Sequence, residues 1–126
     1  MNRSILPPRP IAPDVYEGQV ADAQIVSYPG RTSESNPDGL AVRIGVAVED
    51  EDGPAHVFDA VDLTNRDRLA AIFLACGLEA EASLDSAIDS LIGRPCRIVT
   101  KNIRPRLGKN SGSSKAVVSS WVPRQR

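Results

Sequence analysis

Leu40-Ala41-Val42-Arg43-Ile44-Gly45-Val46-Ala47-Val48 decides the architecture of this chain. Leu40, Val42, Ile44, Val46 and Val48 share one parity; Ala41, Arg43, Gly45 and Ala47 share the other. A period of two puts successive side chains on opposite faces of an extended backbone. The first set is mostly β-branched, which suits a pleated surface packed against a core. Residues 40–48 are therefore read as a strand with one face buried.

The neighbours extend this reading in both directions. Residues 29–39, PGRTSESNPDG, are dense in turn formers and read as a loop. Before them, residues 16–28 read as a long strand. Its alternation is imperfect, and small residues near its middle predict a bend, which lets one strand serve two sheets or curl a barrel. Residues 49–54 read as an acidic turn with Gly53. Residues 57–63 return as a strand, with Val57, Asp59 and Val61 opposite Phe58, Ala60 and Asp62. The three strands form an antiparallel meander.

The period then changes. Thr64 or Asn65 can cap a helix whose Leu69, Ile72, Phe73 and Cys76 recur at helical spacing, with Gly77 as its left-handed stop. Ser83 opens a second short helix with the stripe Leu84, Ile88, Leu91 and Ile92, stopped at Gly93. Residues 94–103 form a fourth strand, with Cys96, Ile98 and Thr100 on one face and Arg97, Val99 and Lys101 on the other. Residues 104–114, RPRLGKNSGSS, are a basic loop, and residues 115–122 a fifth strand with Val117 or Val118 inward and Trp121 near its end, before Pro123. Three strands, a helical segment and two strands give a mainly β fold: a five-stranded OB-type Greek-key barrel. The alternative is an open α+β sheet with helices on one face. Residues 1–13, with Pro7, Pro8, Pro10 and Pro13, read as a flexible arm, because proline removes backbone donors. Residues 14–126 are the domain.

Composition sets bounds. A chain of 126 residues fits one domain with a modest core, and at 4% aromatic residues that core is left to Val, Ile, Leu and Ala. A homodimer is one way to enlarge so small a core. The most apolar stretch, residues 69–76, falls far short of the ~20 residues that cross a bilayer, and the proline-rich start lacks an apolar signal core. The expectation is a soluble cytoplasmic protein with no membrane partner, in which Cys76 and Cys96 are reduced, buried thiols.

Charge is the most informative feature. Net charge is −1, yet all 16 acidic residues lie between Asp14 and Asp89. Beyond Asp89 stand Arg94, Arg97, Lys101, Arg104, Arg106, Lys109, Lys115, Arg124 and Arg126. Such asymmetry points to an anionic partner on one side of the fold. In an OB barrel the ligand crosses strands two and three, flanked by the loops after strand one and between strands four and five. The candidate nucleic-acid-binding cations are thus Arg31, Arg43, Lys101, Arg104, Arg106, Lys109 and Lys115. Base stacking needs flat side chains. Tyr28, beside a Pro-Gly turn, is the best candidate; Trp121 and Phe58 read either as stacking residues or as core.

Other chemistry finds little support. The segment Lys109–Lys115 lacks the Walker order of glycines followed by Gly-Lys-Ser/Thr. Glu49 to Asp52 lack the alternating ligands and closing Glu of a calcium loop. His56, the single histidine, has no zinc spacing to Cys76 or Cys96. Asp59 and Asp62 are three apart on a strand and face opposite ways. No metal, cofactor or catalytic group is expected, and the chain reads as a binding module. An enzyme would need a pocket bringing Cys76 or Cys96 beside His56.

Several motifs, in order, carry a family likeness. They are Tyr16-Glu17-Gly18, Asp62-Leu63 with the following helix, Leu74-Ala75-Cys76-Gly77-Leu78, Leu91-Ile92-Gly93-Arg94-Pro95, and Lys109-Asn110 before a strand ending Trp121-Val122-Pro123. From about residue 15 to 123 the chain resembles phage-encoded OB-fold single-stranded-DNA-binding proteins, including a phage domain family long without an assigned function. The resemblance implies binding of single-stranded DNA with low sequence preference, in phage DNA replication or recombination, beside the proteins of that machinery in the host cytoplasm. Many such proteins end in an acidic recruiting tail, whereas this chain ends Pro123-Arg124-Gln125-Arg126. The alternative function is a protein-interaction or assembly module on the same barrel, without nucleic-acid binding.

Overall fold

The computed structural model describes residues 9–78, 84–103 and 115–123. Its elements are β1 (Val15–Ser27), a 3-10 turn (Pro29–Arg31), β2 (Leu40–Asp50), β3 (Gly53–Asp62), α1 (Arg66–Ala75), α2 (Leu84–Leu91), β4 (Pro95–Ile103) and β5 (Lys115–Trp121). The strands close into a barrel in the order β1-β2-β3-β5-β4, with β1 also pairing β4. This is an OB-type barrel, and closure rules out the open sheet.

The bend expected in β1 is present. Gln19 to Ser27 pair with β2, Val15 to Gln19 pair with β4, and the β1–β2 register shifts between Val20 and Asp22. One strand therefore serves both walls, with its bulge as the corner. The stop after α2 docks there: Gly93 N–H donates to the Val20 carbonyl at 2.8 Å, and Val20 N–H donates to the Arg94 carbonyl at 2.9 Å.

The apolar parity of β2 is the centre of the core. Val42, Ile44, Val46 and Val48 are buried, with Val57 and Val61 of β3, Ile98 of β4 and Val118 of β5. The acidic turn is shorter than expected. β2 runs through Asp50 and β3 restarts at Gly53, with φ +111°. Glu51 and Asp52 alone make the turn, and the Asp50 carboxylate accepts from Asp52 N–H at 2.9 Å.

Helix α1 begins and ends as its sequence requires. The Asn65 side chain accepts from Arg68 N–H. At the far end Gly77 takes φ +78°, Gly77 N–H donates to the Leu74 carbonyl, and Leu78 N–H donates to the Phe73 carbonyl. That is a Schellman motif, and Leu78 packs on the core as the motif favours. Leu69, Ile72, Phe73 and Cys76 are all buried. Ile88 and Leu91 of α2 join them, while Ser83 and the Leu84 side chain lie outside the described residues. Cys96 is also buried, and a hydrogen bond with the Cys76 thiol, then burial, push its pKa upward.

Part of the stretch read as an arm is docked. Ile11 is 4% exposed and belongs to the core. The Asn102 amide holds its backbone, donating to the Ile11 carbonyl at 2.8 Å and accepting from Ile11 N–H at 3.3 Å. The prolines do keep this segment out of regular ladders, but its apolar side chain and its carbonyls remain free to bind.

Candidate nucleic-acid interface

The barrel wall has one weak join. The β2–β3 ladder runs from Ala41↔Asp62 to Asp50↔Gly53, whereas β3 and β5 meet, in parallel, at Phe58↔Val117. Side chains stitch the seam on either side of that bridge. On its N-terminal side, Arg9 forks onto Asp50 at 2.7 and 3.0 Å and donates to the Gly53 carbonyl, while its own carbonyl accepts from Ala116 N–H. That fork holds the Asp50 pKa below the usual carboxylate range. On the C-terminal side, Asp59 Oδ2 accepts from Trp121 Nε1 at 2.8 Å and from Arg68 Nη2 and Nε at 2.8 and 3.1 Å.

A groove of about 810 Å³ lies over this seam. Its walls include Tyr28 and Arg31 from the turn after β1, Arg43 of β2, Lys101 of β4 and Lys115 of β5. The fold thus brings together five of the residues singled out from sequence. Arg104, Arg106 and Lys109 lie outside the described residues. Arg31, Arg43, Arg68, Lys101 and Lys115 face one carboxylate, Asp59, so the lining is strongly cationic although the chain is nearly neutral.

The loop bearing Tyr28 and Arg31 is built rigidly. Buried Asn36 donates to the Leu40 carbonyl at 2.7 Å and to Asp62 Oδ1 at 3.0 Å, and accepts from Leu40 N–H. Hydrogen bonds from Thr64, side chain first and then backbone, hold the Asp62 pKa below its ordinary value. Gly39 sits at φ +62°, where a Cβ would run into the Tyr28 carbonyl. Arg31 donates to the Ala60 carbonyl at 3.1 Å and lays its guanidinium 5.0 Å from the Tyr28 ring centroid. That is a cation–π stack, and it leaves a flat cationic edge on the groove. Arg43 stands 3.9 Å from Asp22, a loose pair.

The aromatics divide between groove and core. Trp121 is 7% exposed and its indole N–H is committed to Asp59. It is a core residue: the ring belongs to the buried cluster, and its N–H reaches the groove-lining Asp59. Phe58, which sequence left open, is half-buried and lines the groove. Its ring covers Gly45 across the β2–β3 ladder: a Cβ at Gly45 would stand 3.1 Å from Phe58 Cε1. His56 supports it edge-on, with ring centroids 6.4 Å apart and planes at 88°. A bulkier residue at position 45 would lift the ring off the sheet. Gly45 on the Arg43 face of β2 was the signal for this, but its meaning depends on the cross-strand partner.

Arg68 was also missed. Helical spacing places it off the apolar stripe of α1, but only the fold shows that it reaches the groove. Among the described residues no group of His, Cys, Asp and Glu could hold a metal ion, and no helix is long and apolar enough to cross a membrane. No family model matches the chain, and no curated protein matches it.

Proposed function

We propose that this protein binds single-stranded DNA along the groove over the β3–β5 seam. The observation that supports it best is the convergence of Arg31, Arg43, Lys101 and Lys115, from four separate segments, on a groove that also holds Tyr28 and Phe58. Cations spaced across a groove track a phosphate backbone, and flat rings in the same groove take bases. Tyr28 and Phe58 serve as the stacking surfaces. Charge and stacking read no base code, so sequence preference is low. The place of this activity in phage replication or recombination rests on the sequence resemblance.

The test is a fluorescence-anisotropy titration of labelled oligo-dT and of the matching duplex, at low and high salt. The expected result is preference for the single strand, with a log–log salt slope of about −0.7 per phosphate contacted. Lys101→Ala with Lys115→Ala should weaken binding and shallow that slope. Absence of binding to either form at low salt would overturn this reading and favour the protein-interaction module.

A further inference from the structure

Arg68 stands out among the groove cations because a carboxylate in the groove engages two of its donors. Lys101 and Lys115 are exposed strand residues, whereas Arg68 is part-buried and its Nε and Nη2 both donate to Asp59 Oδ2. Nη2 reaches further, to the Val118 carbonyl at 3.4 Å. A guanidinium is a planar fork of five donors. Engaging it through the Nε–Nη2 edge turns the Nη1 donors away from the carboxylate, and among the described residues Nη1 has no protein partner. Asp59 is itself fixed from a third direction by Trp121 Nε1 at 2.8 Å.

Taking the groove as the DNA site, we propose that Arg68 is a phosphate-contacting residue and that Asp59, with Trp121 behind it, is its positioning residue. The side chain reaches the groove from α1, not from either flanking loop. Its rotamer freedom is already spent in the free protein, so little ordering cost remains when phosphate arrives. Asp59 contributes orientation at the cost of one negative charge in a groove that should attract anions. Trp121, which sequence offered as a stacking ring, acts here through its N–H alone.

This arrangement separates positioning from plain electrostatics. Asp59→Asn raises the net charge of the groove by one, so electrostatics alone demands tighter DNA binding. Positioning demands weaker binding, because the carboxylate that holds the guanidinium is gone. The experiment is oligo-dT anisotropy against salt for wild type, Arg68→Gln and Asp59→Asn, with thermal melts of each. Arg68→Gln should weaken binding about tenfold, the scale of one hydrogen bond to a charged group. It should also shallow the salt slope by about 0.7, the share of one phosphate. Asp59→Asn should weaken binding despite the added positive charge. Should Asp59→Asn melt below the assay temperature, Arg68→Gln decides alone, since Arg68 is not a member of the apolar core cluster. An unchanged salt slope in Arg68→Gln, or tighter binding by folded Asp59→Asn, overturns the proposal while wild-type binding leaves the groove reading intact. A wild type that binds no DNA overturns both.

Discussion

The two walls of this barrel are built on different terms. The β1–β2–β3 wall is a long antiparallel ladder interrupted at the β1 bulge, with Val42, Ile44 and Val46 fully buried behind it. The β3–β5 join has the Phe58↔Val117 bridge, and around it Arg9, Asp59, Arg68 and Trp121 supply hydrogen bonds that backbone would supply elsewhere. The first wall is held by main chain and apolar area, the second largely by side chains. The groove lies over the second. A splayed pair of strands leaves room for a ligand, and the polar side chains that close the gap are the ones that can meet it. The difference teaches that the least regular part of the sheet is where the binding chemistry can be placed.

The largest expected effect tests the regular wall. Ile44 is fully buried at its centre, so Ile44→Ala should destabilise the fold by about 2–5 kcal/mol. Chemical denaturation would measure it. A loss under 1 kcal/mol would mean that the β2 ladder is not the stability centre, and the contrast between walls would collapse.

The next effect concerns the seam. Deleting residues 1–11 removes Ile11 from the core, and Arg9 from Asp50, Gly53 and Ala116. Burying an isoleucine contributes about 1.5–3 kcal/mol, and the loss should be of that order. Amide exchange sharpens the point. In the intact chain Ala116 and Val118 should exchange faster than Val42 to Val46, and the deletion should widen the gap, because local opening begins where ladder bonds are few. Equal protection on both walls would show that side-chain stitching is as strong as a ladder.

Legibility in the sequence follows the same division. Residues 40–48 announced their strand through alternation, and Gly77 its cap, because both signals lie within a few residues of chain. The bulge in β1 showed as small residues at Ala21 and Ala23, and the basic character of the groove as charge clustered late in the chain. The seam was not legible. Arg9 and Asp50, or Asp59 and Trp121, are far apart in sequence, and nothing local marks them as partners. Trp121 near a strand end looks equally like a stacking ring and a core residue until Asp59 is seen to accept its N–H. Ile11 lay among prolines that rightly argued against a strand, but that rule governs backbone donors and is silent on whether a side chain is buried.

The smallest effect falls on the strand the two walls share. His56 is buried on β3, opposite Ala47 on the ladder side and edge-on to Phe58 on the groove side. Burial holds its pKa below the ordinary 6.5. The unfolded chain therefore takes up a proton near pH 6.5 that the folded chain resists until lower pH. Stability should be flat above that pH and should fall as pH drops through it, with a slope of at most about 1.4 kcal/mol per pH unit for one proton. His56→Gln should remove this slope in urea titrations between about pH 5.5 and about pH 7.5, a range largely above carboxylate titration. Where the proton acts can then be read from a parallel measurement of oligo-dT binding. Should binding weaken at a pH where the melt is still unchanged, protonation acts first on Phe58 and the groove. Should both fall together, the damage is to the ladder, and the two walls are mechanically one.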